Sequence, residues 1–412
     1  MMVDGEWYCY DKNGEAYTNT FCSSNGKEYY VGEDGQLVRA AWVEYDGSYY
    51  FVNSSGAKIT NDWRLTTPYD DDSADEEWYY FKSSGKAQTG KGTNIKGQTY
   101  LFDNEGRMQT GWVARVASDN DAEYKEIGGE NFTAELRNYT EVYFCGDEDD
   151  GHAKKNKWYQ TWKPSEYDEA DEDNDQWWYW IDKNGKVYIP TEAASGSNAT
   201  GYKYKLEDAT LAKKFVIDNK ETAFNITKKK VNSKDYFFND NGEMLSQFIE
   251  VIHPNTEDGL YEGMYYFGGA DDGSMKTGSQ SVRDDNGDTY KFYFWTKNSN
   301  SEHKGVGITG NKSNKLYYKG LLLTADDYKY QIATVDDEHY FIVNKNGSIQ
   351  HSYVEYKEDS DVLIDARTLG TDSNGNAKKF NTTDDLYKYS FDAAAADLIN
   401  KVDMIDETEV MH

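Results

Sequence analysis

Cysteine is scarce: Cys9, Cys22 and Cys145 are too few for a disulfide framework, and three cannot all pair within the chain. No run of 18 or more apolar residues exists, so nothing in the sequence reads as a membrane-spanning helix. The N-terminus has no basic segment followed by an apolar one, the pattern of a signal peptide. It enters a repeat at once with GEWYCYDKNG, so a mature or trimmed fragment is the expectation. Basic charge is also short. Lys and Arg number 44 against 74 Asp and Glu, a formal net charge of −30. That is the opposite of a nucleic-acid-binding footprint, and it disfavours anionic membranes. It suits a solvated surface, a cationic ligand or bound metal ions. Proline is nearly absent, at Pro68, Pro164, Pro190 and Pro254, and Leu, Ile and Val are thin.

Aromatic residues fill the gap. They make up 16% of the 412 residues, with 36 tyrosines. Disordered chains are poor in aromatics, and aromatic and β-branched residues favour strands. The aromatics also repeat. WYYFKSSGKAQTG from Trp78 is followed by TYLFDNEGRMQTG from Thr99, so that Phe81, Gly85 and Thr89-Gly90 recur 21 positions later as Phe102, Gly106 and Thr110-Gly111. A period this short signals a repeat architecture.

The glycine sets the register. The tetrads ahead of Gly14, Gly35, Gly56, Gly85, Gly106, Gly185, Gly242 and Gly347 are WYCY, EYYV, YYFV, WYYF, TYLF, WYWI, DYFF and YFIV. Their second residue is aromatic every time: Tyr8, Tyr29, Tyr50, Tyr79, Tyr100, Tyr179, Tyr236 and Phe341. Seven positions after the glycine come Phe21, Trp42 and Trp63, and Trp158 holds the same offset from Gly151, while Trp112 comes one position early. Each unit reads as four strand residues, a polar turn ending in Gly, a short second strand, then Thr-Gly-Trp or a variant. Asn and Asp before Gly are expected to supply the positive φ of a tight turn.

One such hairpin is marginal in water. Stacked hairpins bury each other's aromatic faces, roughly 1.5–3 kcal/mol per fully buried ring. The expected fold is therefore all-β: a β-solenoid of stacked hairpin repeats of about 20 residues, with loop insertions and a short C-terminal helix. Residues 1–112 hold regular repeats, 113–355 degenerate repeats with insertions, and 356–412 a cap or linker. In the last, Asp392 is a possible N-cap, with Leu398, Ile399, Val402 and Ile405 at helical spacing.

WYYFKSSGKAQTG and IKGQTYLFDNEGRMQTGW resemble the cell wall-binding and glucan-binding repeats of Gram-positive surface proteins. The family includes choline-binding modules, the glucan-binding ends of glucansucrases and the receptor-binding ends of clostridial toxins. The resemblance implies a β-solenoid that binds rather than catalyses. It also implies ligands caged between hairpins by the Trp of Thr-Gly-Trp and the first residue of the next tetrad. Carried onto this sequence, the ligand positions are Trp42, Tyr49, Trp63, Trp78, Tyr80, Trp112, Trp158, Trp162 and Trp178. Quaternary ammonium groups bind such rings by cation–π attraction, and sugar rings lay C–H faces on them. Against this stands the plainer reading that most of these aromatics are core.

Other motifs are weaker. Asp171, Asp173 and Asp175 alternate, with Asp182 further on, but Gln176 stands where a calcium loop needs Gly and the closing Glu is missing. A solvated acidic loop is expected there, with calcium as the alternative; no other metal or cofactor is implied. The six histidines have no metal-ligand or catalytic-triad spacing. The sequence thus reads as a non-catalytic region, extracellular or at the cell surface, that binds a polysaccharide or cell-wall polymer: wall glycan, choline-type groups or an external α-glucan. The rivals are a structural stalk with decayed ligand sites, an adhesin for host glycans, and an enzyme hidden in the inserts, which are too short for a catalytic domain.

Overall fold

A computed structural model describes residues 1–117, 122–147, 149–167, 176–191, 198–209, 212–217, 223–284, 286–370, 374 and 380–405. The chain divides into two compact units, Met1–Ile189 and Pro190–His412.

In the first unit the repeat is an antiparallel hairpin, but its main ladder lies on the other side of the tetrad from the one the glycine register suggests. The strand carrying the Trp pairs forward with the next tetrad. Thr20–Ser24 pairs with Lys27–Val31, Ala41–Tyr45 with Ser48–Val52, Asp62–Thr66 with Glu77–Phe81, and Lys157–Thr161 with Trp177–Ile181. Two-residue turns close the short hairpins: Asp4-Gly5, Asn25-Gly26, Asp46-Gly47 and Lys96-Gly97 have φ between 48° and 91° at both positions. These are the primed turns that match strand twist. Positive φ at Asn and Asp occurs in this turn and just before the first strand, at Asn19, Asn61 and Asn156.

At the glycine-register turn the Asn or Asp acts differently. The residue three before the glycine turns its side-chain oxygen back onto the backbone. Asn53 Oδ1 accepts from the N–H groups of Ser55 and Ala57 (2.9 and 3.1 Å), and Asp182 Oδ1 from those of Asn184 and Lys186 (2.8 and 2.9 Å). Asp11, Asn239 and Asn344 repeat the pattern. Only the glycine then needs φ > 0, as at Gly56 (80°) and Gly185 (86°).

Hairpins couple to their neighbours in two ways. The segment after each glycine turn donates to the tetrad one repeat back: Lys58 N–H to Glu28 O, Ala87 to Tyr49 O, Ala153 to Thr99 O and Val187 to Val142 O, each at 2.8 Å. The aromatic of the first strand packs edge-on against the second tetrad residue of the next repeat. The pairs are Phe21–Tyr50 (5.1 Å), Trp42–Tyr79 (4.7 Å), Trp63–Tyr100 (4.8 Å) and Trp112–Tyr179 (4.9 Å). Tyr50, Tyr79 and Tyr179 are buried accordingly. No single hairpin encloses these contacts, so the solenoid is held by its interfaces.

A disulfide joins Cys9 to Cys22, tying the first tetrad to the strand that follows, and Cys145 is free and buried. Cysteine count alone had not revealed this bridge. The acidic inserts of this unit stand where other hairpins have two-residue turns, between paired strands. Residues 67–76 separate Asp62–Thr66 from Glu77–Phe81, and residues 162–176 separate Lys157–Thr161 from Trp177–Ile181.

In the second unit the strands are longer and join into larger sheets. The same interlocking persists, from Met275 N–H to Asp235 O and from Ile349 N–H to Asn314 O. The basic KKK stretch is used internally: Lys228 Nζ donates to Gly259 O at 2.9 Å, and Lys230 with Lys304 pairs with buried Asp235. The expected helix is Ala393–Ile399, with Asp392 Oδ1 accepting from Ala395 N–H. Its inner face is Ala395, Ala396 and Ile399, while Leu398 is 61% exposed. Val402 and Ile405 lie beyond the helix, and Ile405 bridges to Ala333 instead.

Candidate aromatic binding site

Cross-strand register decides which rings share a face. In the hairpin after Thr60-Asn61, Trp63 opposes Tyr80 and Leu65 opposes Trp78. Directly opposed residues project to the same side, so Trp63, Leu65, Trp78 and Tyr80 share one face. Arg64 and Tyr79 take the other. The Trp63 and Trp78 rings stand perpendicular, 6.3 Å between centres at 87°. Tyr80 lies 5.2 Å from Trp63 on one side and Tyr100 of the next repeat 4.8 Å away on the other. Buried Phe102, Ile95 and Met108 form the floor, with Phe102 stacked on Trp63 at 30°. The four rings above are only partly buried, and Leu65 beside them is 38% exposed. Burial lifts the Tyr100 phenol above its usual range. The result is a cluster of partly buried aromatic rings over a buried floor, hereafter the groove. Tyr100 and Leu65 were not among the expected positions; Tyr100 holds a tetrad position that is buried at Tyr50, Tyr79, Tyr179, Tyr236 and Phe341.

The other expected positions divide. Trp158 and Trp178 repeat the arrangement, because Trp158 opposes Trp180 and Gln160 opposes Trp178, again one face. Trp158 and Trp180 are 5.4 Å apart. Trp162 falls just past the strand, where its carbonyl accepts from the Trp112 indole at 3.0 Å. Trp42 and Tyr49 are brought together, but with Tyr69 of the acidic insert between them, 4.2 Å from Tyr49. Trp112 stands in the core: it is 1% exposed, between Phe144 and Tyr179, and has no face to offer a ligand.

Among the described residues no group of three or more His, Cys, Asp or Glu is placed to hold a metal. Asp171, Asp173 and Asp175 lie outside the described residues, and Asp182 caps its turn.

No family model matches the chain. Glucosyltransferase-S of Streptococcus mutans is 33% identical over 109 residues, which is 26% of this chain and 7% of that protein. Glucosyltransferase-I of Streptococcus downei is 30% identical over 109 residues, 26% of this chain and 6% of that protein. The match thus spans less than a tenth of either relative. Among solved structures, choline binding protein F from Streptococcus pneumoniae aligns with 87% of this chain and 97% of its own, at 18% identity and a TM-score of 0.42. The modular autolysin LytC from the same species aligns with 81% of this chain and 54% of its own, at 16% identity and a TM-score of 0.38. Over about a quarter of its length the chain is thus similar in sequence to the two glucosyltransferases. In this chain's repeats the Trp of the hairpin's first strand packs on the next repeat's tetrad Tyr and holds the stack. Trp63 and Trp42 are both partly buried, and they differ in that an insert ring, Tyr69, lies beside Trp42, so the position is structural first.

Proposed function

We propose that this chain is a non-catalytic binding region, extracellular or on the cell surface, that recognises a polysaccharide or cell-wall polymer through partly exposed aromatic platforms. The observation that carries this reading is the groove of Trp63, Trp78, Tyr80 and Tyr100: partly buried rings at right angles over a buried floor. A contiguous set of partly exposed aromatic rings favours a binding surface over chance exposure. Acidic residues of the adjoining insert, such as Asp70 and Asp71, flank the groove in sequence, which suits either sugar hydroxyls or a cationic headgroup. The Cys9–Cys22 bridge supports an oxidising setting outside the cytosol. The glucosyltransferase relatives favour an α-glucan, while the aromatic walls serve a choline-type group as well.

A glycan array of α-glucans and wall fragments, with free choline as competitor, separates the two ligand classes. Trp78→Ala should weaken binding by about 1–3 kcal/mol, by analogy with other aromatic stacking platforms, and leave the fold intact. Trp63→Phe should weaken it less while keeping the packing on Phe102. Unchanged affinity in Trp78→Ala, or turnover of any glycan by the wild type, overturns this reading.

A further inference from the structure

The insert that follows Trp63 reaches back over the preceding repeat. The Trp42 indole N–H donates to the carbonyl of Thr67 at 2.9 Å, and Pro68 is buried directly after it. Tyr69 then lays its ring 4.2 Å from Tyr49 and 6.5 Å from Trp42, and its hydroxyl donates to Glu44 at 3.1 Å. The Tyr69 ring covers the very pair of platform residues that this repeat would present.

The second described insert does the same with different residues. The Trp112 indole N–H donates to the carbonyl of Trp162 at 3.0 Å, and Pro164 is buried. Tyr167 stands edge-on to Phe144 at 5.8 Å. It closes so tightly over Gly111 and Gly128 that a Cβ there would meet its ring at 2.5 and 3.0 Å. Thr67 and Trp162 are equivalent, each following the last residue of its strand, Asp62–Thr66 and Lys157–Thr161. Both inserts read Thr, then Pro, then Tyr-Asp, as TTPYD and TWKPSEYD, although their lengths differ. An indole latch, a buried proline and a covering tyrosine recur together twice. Over Trp63 the following hairpin has only the two-residue turn Lys96-Gly97, too short to reach back, and the ring neighbours of Trp63 are tetrad residues, Trp78, Tyr80, Tyr100 and Phe102, with no insert ring among them.

We propose that these insert tyrosines are internal occupants: Tyr69 fills the aromatic platform of Trp42 and Tyr49, Tyr167 covers the corresponding place beside Trp112, and the hairpin-tip length of each repeat decides whether the repeat before it accepts an external ligand. This rests on the binding reading above. Tyr69 is 45% exposed, so removing its ring takes little from the core.

The test compares wild type, Tyr69→Ala and Tyr69→Phe by calorimetric titration with choline chloride and with isomalto-oligosaccharide. Tyr69→Ala should bind one more equivalent of probe than wild type, and Trp42→Ala placed in that background should remove the added site. Tyr69→Phe should match wild type, because its ring still covers the platform. 5-Fluorotryptophan labelling with 19F NMR reads the same event without ligand: the Trp42 resonance should shift and become sensitive to solvent in Tyr69→Ala only. An unchanged stoichiometry in Tyr69→Ala, with wild type still binding through Trp78, overturns the proposal and leaves the binding function standing. A wild type that binds neither probe, beside a Tyr69→Ala variant that binds one, supports the internal occupant and removes the Trp63–Trp78 site. Silence from both proteins overturns both.

Discussion

Asp103 holds the turn position that Asn53, Asn239 and Asn344 hold in other repeats, and its Oδ1 accepts from Arg107 N–H at 2.8 Å. Either side chain supplies that acceptor; only Asp carries a charge into it. Burial pushes the Asp103 carboxyl up from 3.8 to about 6, against the backbone N–H and charge of Arg107, which pull it down. The folded state therefore holds this proton more tightly than the unfolded chain does. The stabilising contribution is fully present below 3.8 and is lost as pH rises to about 6. Asp103→Asn keeps the acceptor and drops the charge. It should stabilise the protein at pH 7 by up to about 2–3 kcal/mol, following the size of the shift. Urea denaturation of both proteins from acid to neutral pH checks this. A decline between pH 4 and 6 as steep in the variant as in wild type would refute it. The turn chemistry was legible in the sequence because it is local. Its mechanism was not, because Asn and Asp serve both positive-φ turns and side-chain acceptor turns, and the residue type alone does not choose between them.

At the scale of the hairpin, the tetrads and their strands were legible from the glycine register, while the partner of each strand was not. A tetrad can fold back on the strand before it or after it, and both connections exist here: Val52 bridges Lys58 across the glycine turn and pairs with Ala41 in the main ladder. What selects the main ladder is an aromatic pair across it, Phe21–Tyr30, Trp42–Phe51, Trp63–Tyr80 or Trp158–Trp180. Those pairs are separated by turns in some repeats and by inserts in others, so no fixed spacing announces them. Tyr69 was hidden for the same reason, since an insert has no register until it lands. The first hairpin adds a covalent tie, because short strands such as Met2–Val3 and Glu6–Trp7 bury little: Trp7 is 47% exposed. Closing a loop of this size is worth about 3 kcal/mol in the chain-entropy view. Cys9→Ser with Cys22→Ser should thus strip amide-exchange protection from the first two repeats. Protection around Trp63 and Phe102 should persist, because those rings draw on later repeats. A uniform loss across Met1–Ile189 would show that the stack melts as one body.

Taken whole, the molecule has a charge that its aromatic sites must work within. A net charge of −30 raises the local concentration of cations near the surface, and salt screens that field with a Debye length of about 30 Å at 0.01 M falling to about 8 Å at 0.15 M. In the second unit Asp235 pairs with Lys230 and Lys304, and Glu250 with Lys319, pairs that the net charge already counts. A ligand with a quaternary ammonium group would draw on that field as well as on the ring faces of Trp63 and Trp78. Its affinity should fall several-fold as salt rises through this range, and the fall should persist in part in Trp78→Ala, since the field is not made by that ring. A neutral glucan would draw on the rings and on hydrogen bonds alone. Its affinity should stay nearly flat with salt and collapse in Trp78→Ala. Titrations of choline chloride and of isomalto-oligosaccharide at low and physiological salt measure both slopes on the same protein. Choline binding that ignores salt would remove the field from the account of recognition, and glucan binding that weakens steeply with salt would point to ordered ionic contacts beyond the groove.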